Sequence, residues 1–140
     1  MNRKHLVVGV FVTITAVALL VPTQYVSATH LPNGLRWSIV GNGFGGQLVL
    51  SYNSNGGVSG TAFGDRIIGF YDGSTEKILF MRISNPADPS TFQVYIGYYF
   101  QDRTGTGPSR ATIAGSFITP AGAGGSSERN EFGWYAQTIP

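Results

Sequence analysis

Catalysis needs particular side chains in adequate number, and this chain of 140 residues supplies few. It has no cysteine and two histidines, His5 and His30. A thiolate nucleophile, a disulfide framework and a cysteine metal centre are thereby excluded. A serine–histidine–carboxylate system would need His30 held beside a serine and an acid, but His30 falls at a chain end once the leader described below is removed. One histidine with dispersed carboxylates makes a poor zinc site, and no Asp-x-Asp-x-Asp loop suggests calcium. Asp65, Asp72, Glu76, Asp102, Glu128 and Glu131 remain as material for a glycosidase-type carboxylate pair. Most lie near turn signals, where short polar residues serve turn geometry and solvation.

Arg82 is the charge of most interest, because it interrupts the apolar run ILFMRI. Turned inward, it would need a partner, since an isolated buried charge is expensive; Gln93 and a tyrosine hydroxyl are the candidates. Turned outward, its stem would lie over an aromatic ring. The aromatic residues Trp37, Tyr52, Phe70, Tyr71, Phe80, Tyr95, Tyr98, Tyr99 and Trp134 suit the wall of an apolar pocket or a filled core. The candidate ligand-binding set is Trp37, Tyr52, Phe80, Arg82, Gln93, Tyr95 and Trp134. No catalytic residue, metal ligand or cofactor is expected.

The stretch GGVSGTAFGDRIIGFYDG (56–73) spaces six glycines among Val, Ile, Phe and Tyr. A phosphate-binding glycine loop joins a strand to a helix N-terminus. Here the following IIGFYDG and TEKILFMRI both read as strands, and no Walker-type Gly-Lys-Ser/Thr occurs. The glycines instead suit a hairpin. A turn at Gly64-Asp65 would pair Phe63 with Arg66 and set Gly60 opposite Gly69, and facing glycines allow a sheet to bend sharply.

The elements that must position these residues begin after a leader. MNRKH is a short basic start, Leu6–Val21 is apolar, and Val26 and Ala28 occupy the small-residue positions before a signal-peptidase cut. We therefore expect a signal peptide over 1–28, a flexible N-terminus over 29–34 and one domain over 35–140, exported to the cell envelope or beyond. A retained membrane anchor is the alternative, although the apolar run is short for a span and Pro22 ends it. Arg3 and Lys4 leave with the leader, so the mature part carries seven basic and seven acidic side chains. Such a balance gives no electrostatic footprint for nucleic acid and no polybasic patch for anionic lipid.

The mature chain has no helical period. Short runs of β-branched and aromatic residues alternate with Gly, Asn, Asp and Pro, the pattern of many strands joined by tight turns. Eight strands are expected: Leu35–Val40, Gln47–Tyr52, Val58–Phe63, Arg66–Asp72, Glu76–Ile83, Thr91–Gln101, Arg110–Thr119 and Glu131–Thr138. NSNGG (53–57) supplies turn residues, and Pro86 and Pro89 in NPADPS stop pairing because they lack a donor. TGTGPS (104–109) and PAGAGGSSERN (120–130) read as longer loops. Pairing Phe80 with Tyr95 and Arg82 with Gln93 puts Ile78, Phe80, Arg82, Gln93, Tyr95 and Tyr99 on one face. The other face holds Leu79, Met81, Ile83, Phe92, Val94, Ile96, Tyr98 and Phe100. Two half-apolar faces suggest that one fills the interior while the other meets a ligand, a second subunit or the barrel ends.

Strong bending over many antiparallel strands points to closure into an all-β, eight-stranded up-and-down β-barrel, with an open sandwich as the alternative. A barrel with Trp37 on its first strand (LRWSIVGNG) and Gly56-Gly57-Val58-Ser59-Gly60-Thr61 on its third resembles the avidin–streptavidin barrel and the wider calycin group. The resemblance implies a cavity-bearing or plugged barrel whose tryptophans wall a ligand site. Only Trp37 and Trp134 are present, and FQVYIGYYF and ATIAGSFIT stand where that family has Trp-rich strands, so biotin itself is not implied. The expected function is non-catalytic binding of a small apolar or polar-aromatic ligand. The alternatives are a filled barrel that oligomerises or binds protein through an outer aromatic face, and an enzyme using carboxylates at the barrel mouth.

Overall fold

A computed structural model describes residues 31–101, 110–120 and 130–139. The predicted leader, His30, Asp102, Glu128 and most of the two long loops at 104–109 and 120–130 lie outside these residues. The described chain forms eight antiparallel strands closed into a barrel in sequence order. They are β1 (Arg36–Gly41), β2 (Phe44–Tyr52), β3 (Gly57–Ala62), β4 (Asp65–Asp72), β5 (Lys77–Ile83), β6 (Gln93–Gln101), β7 (Ala111–Thr119) and β8 (Asn130–Thr138). Closure is made by β1 on β8, with Trp37 opposite Thr138 and Gly41 opposite Trp134. No sheet edge is left to recruit another strand. Thr91, expected to open the sixth strand, instead ends a short 3-10 turn over Pro89–Thr91, capped by the Asp88 side chain on the Ser90 amide.

Strand alternation decides what the barrel encloses. Trp37, Ile39, Leu48, Leu50, Ile67, Ile78, Phe80, Tyr95, Tyr99 and Ile113 are all essentially inaccessible to solvent. The interior is therefore packed with side chains, as small eight-stranded barrels usually are. Leu31 is buried with them and the Asn33 side chain brackets the Tyr52 backbone. The segment before β1 thus belongs to the end of the barrel where β2 finishes. Leu35, expected to begin the first strand, precedes β1 and is exposed. The Trp37 indole N–H is buried with no hydrogen-bond partner.

Trp134 shows how glycine shapes the wall. Gly97, Gly115 and Trp134 are successive cross-strand neighbours, and the indole lies over Gly97, where an added Cβ would sit 2.8 Å from its Cζ2. From there its N–H donates to the Ile96 and Ser116 carbonyls, at 3.1 Å each. The strands also crowd one another at Gly115, where an added Cβ would overlap the Ile96 carbonyl oxygen.

The β3–β4 turn differs from expectation. It is made by Phe63 and Gly64, not Gly64-Asp65, with φ of 54° and 89°. Two consecutive positive φ values match the primed turns that two-residue hairpins prefer. Thr61 therefore pairs with Arg66 and Gly60 with Ile67, while Gly69 faces Val58. The two glycines do not oppose each other. Each instead lies where the neighbouring strand on its other side comes close, Gly60 beneath the Val49 carbonyl and Gly69 beneath that of Leu79. The shift also turns Asp65 toward the barrel mouth, where it meets Arg82.

Candidate functional site at the barrel mouth

Two rows of side chains build one end of the barrel. The lower row is an aromatic ladder across four neighbouring strands: Phe80, Tyr95, Phe117 and Phe132 are paired in succession. Phe80 and Tyr95 stack at 4.8 Å and 7°, and Tyr95 and Phe117 at 4.8 Å and 13°. Phe132 tilts against Phe117 at 5.3 Å, and Trp134 sets its edge against Phe80 and Tyr95 at 5.5 Å. Such contacts contribute about 0.5–1.5 kcal/mol each beyond area burial. They hold the rings in fixed orientation beneath whatever lies above.

The upper row is polar. Arg82 points inward, opposite Gln93. Its Nε donates to Asp65 Oδ2 at 2.8 Å, its Nη2 lies 2.6 Å from the same oxygen, and its Nη1 donates to Gln93 Oε1 at 3.0 Å. The Tyr95 hydroxyl donates to that same Gln93 oxygen at 2.9 Å. Because both partners are donors, the Gln93 carbonyl oxygen must face them, which leaves its Nε2 to donate elsewhere. The guanidinium also lies 5.0 Å from the Phe63 ring centroid, within cation–π range. The inward charge is thus neutralised and hydrogen-bonded, as burial demands.

Above this floor opens a cup of about 510 Å³, bounded also by Phe44, Phe63, Phe117, Thr119 and Phe132. Two other depressions have similar volume. One of about 470 Å³ lies between the turns at Asn53–Gly56 and Asp72–Gly73 at the far end, and one of about 510 Å³ covers Gly115 and Gly133 on the outer wall. The mouth differs from both in placing a part-buried ion pair beside several aromatic rings.

Of the sequence-derived set, Arg82, Gln93 and Tyr95 come together at this cup. Phe80 and Trp134 support it from beneath. Trp37 and Tyr52 belong to the opposite end of the barrel, where Trp37 meets Tyr99 edge-on at 6.4 Å and Tyr52 meets Tyr71 at 5.8 Å. Sequence reasoning missed Phe63, Phe117 and Phe132 as walls and took Asp65 for a turn residue. The alternation Ile113, Gly115, Phe117 carried the signal for Phe117, but only with the β6–β7 register known.

Among the described residues, the candidate carboxylates Asp65 and Asp72 are engaged separately; Asp102 and Glu128 lie outside those residues. Asp65 is committed to Arg82. Asp72 accepts from the Ser74 amide and hydroxyl and the Thr75 hydroxyl, which hold its carboxyl down at about 2. Glu131 is exposed on β8. Among the described residues no three His, Cys, Asp or Glu side chains gather as a metal site.

Two tyrosines resist ionisation. Burial raises Tyr95, with Arg82 opposing, and burial followed by Glu76 pushes Tyr71 up to about 12. A raised native pKa favours the neutral phenol in the fold. The stability it contributes is intact below the unfolded value, about 10, and is lost as pH climbs through the native value. Denaturant midpoints should therefore hold up to pH about 10 and fall steeply toward about 12; a flat profile across that range would contradict the burial of both phenols.

Phe63 sits in a left-handed conformation that costs a non-glycine residue roughly 1–2 kcal/mol, yet its ring covers Gly46 and Arg82. Phe63→Asn relieves the turn and removes that wall. Stability is expected to stay within about 1 kcal/mol of the parent by thermal melting, because turn relief offsets the lost packing. A loss beyond about 2 kcal/mol would show that packing dominates at this turn.

No family model, curated protein or solved structure matches this chain.

Proposed function

We propose that the protein is an exported, non-catalytic binding module that takes a small ligand at the barrel mouth. The observation that supports this most is the part-buried Asp65–Arg82–Gln93–Tyr95 network at the floor of a cup walled by phenylalanine. Ligand sites are commonly apolar with a few placed polar groups. Because Asp65 cancels the charge of Arg82, the cup favours a neutral ligand. A flat ring fits between Phe63, Phe117 and Phe132, and a carbonyl-type acceptor fits Gln93 Nε2 and the Arg82 N–H groups left over. A filled interior favours the rim over the barrel centre, where the avidin resemblance would put a ligand.

The test is a fragment screen of neutral aromatic amides and lactams, benzamide among them, read by tryptophan emission and melting temperature. Trp134 packs against Tyr95 and Phe80 and reports on the floor of the cup. Binders should shift both signals in the parent protein and neither in an Asp65→Leu/Arg82→Met double variant that remains folded. A screen in which no fragment moves either signal, or in which the double variant responds equally, would argue against the mouth as a ligand site.

A further inference from the structure

The tip of the β1–β2 hairpin carries an apolar ring that the core does not use. Asn42 and Gly43 make its turn, with φ of 48° and 80°, the primed geometry of a two-residue hairpin. Phe44 follows, directly across from Gly41. Strand alternation puts Phe44 on the inward face with Gly46, Leu48 and Leu50, and the two leucines are fully buried. Phe44 is 72% exposed, the highest value of any large apolar side chain among the described residues. Two features account for this. β2 pairs with β3 only from Leu48 onward, so the tip overhangs the mouth past the end of that neighbour. Opposite Phe44, Gly41 offers no side chain to pack on; a Cβ there would lie 3.3 Å from the Phe117 ring and 3.6 Å from that of Phe63. An inward-facing phenyl ring thus borders the cup with a side-chain position left empty between it and two other rings.

We propose that Phe44 is the roof of the mouth site, stacking on the outer face of a planar ligand ring whose inner face meets Phe63 and Phe117. This role rests on the mouth being a ligand site, and it narrows the ligand to flat aromatic rings that carry a neutral acceptor. A ring lying over Gly41 takes the space the glycine leaves and covers Phe44 from below, while its acceptor turns to Gln93 Nε2. A saturated ring of the same polarity is thicker and has no π face for Phe44 to stack on. Closing over the ligand needs only rotation of the Phe44 side chain, which has two torsions to fix, because the primed turn already sets the backbone.

Benzamide and cyclohexanecarboxamide test this, since they share the amide and differ in the ring. By titration of tryptophan emission, the parent is expected to bind benzamide about tenfold more tightly. Phe44→Ala should melt with the parent, because the ring it removes is exposed; it should weaken benzamide about tenfold and leave cyclohexanecarboxamide as it was. Phe44→Trp supplies a second readout that does not depend on the alanine variant. Its emission, taken as the difference from the parent, should start at the wavelength of an exposed indole and move to the blue as benzamide is added. If neither amide binds the parent, the mouth reading itself falls and the roof falls with it. If benzamide binds the parent and is lost in Asp65→Leu/Arg82→Met but binds Phe44→Ala unchanged, the mouth stands and the roof is overturned. A Phe44→Trp difference spectrum already shifted to the blue before any addition also overturns it, since a second copy or another part of the chain would then cover the ring.

Discussion

Gly115→Ala is expected to be among the most destabilising single methyl additions to the barrel wall. A methyl group there would overlap the Ile96 carbonyl oxygen and press on the Gly97 backbone. Neither obstacle is a side chain that can rotate away. The strand would have to separate from β6 at the point where the Trp134 N–H is shared between the Ile96 and Ser116 carbonyls. A loss of about 4 kcal/mol or more follows, a large share of the 5–15 kcal/mol typical of a domain. Gly45→Ala is the control, because nothing lies within 4 Å of its added Cβ. That variant should stay within about 0.5 kcal/mol of the parent. Urea unfolding of both proteins checks the pair, and similar midpoints would mean that β6 and β7 do not approach as described.

Asp65→Ala is the second large effect. It leaves the Arg82 guanidinium turned inward without its anion. The two side chains are 22% and 28% exposed, so water recovers part of the loss, and about 2–3 kcal/mol is expected instead of the full cost of a buried orphan charge. Removing both partners is different. Asp65→Leu/Arg82→Met replaces the pair with apolar groups and is expected within about 1 kcal/mol of the parent. Chemical denaturation of the single and double variants gives the coupling between them. If the single variant were as stable as the double, Asp65 would not be the counter-ion that keeps Arg82 inside.

What could be seen in the sequence was local and periodic. The alternation Ile78, Phe80, Arg82 against Gln93, Tyr95 gave the right register and the right grouping into two faces, but two half-apolar faces left open which of them is the inner one. Closure followed from many short strands and frequent glycine. The β3–β4 turn was misplaced for a physical reason. Gly64-Asp65 has better turn propensity than Phe63-Gly64, and nothing local shows that Phe63 gains a tertiary contact with Gly46 and Arg82 that offsets its left-handed backbone. Asp65 was lost for the same reason, since its partner is seventeen residues away and only the corrected register brings the two together. Phe117 and Phe132 needed β6, β7 and β8 aligned, and sequence alone offers no register across the long loops between them.

Barrel closure fixes where anything joined to the chain must sit. Leu31 is buried near the end of β2, and the Ile139 amide donates to the Arg36 carbonyl at 3.1 Å, so both described ends of the chain leave by the pole opposite the cup. A tether at either terminus, whether a purification tag, a surface-immobilisation linker or an anchor retained ahead of residue 31, would therefore hold the barrel by its base with the Arg82 rim facing away from the attachment.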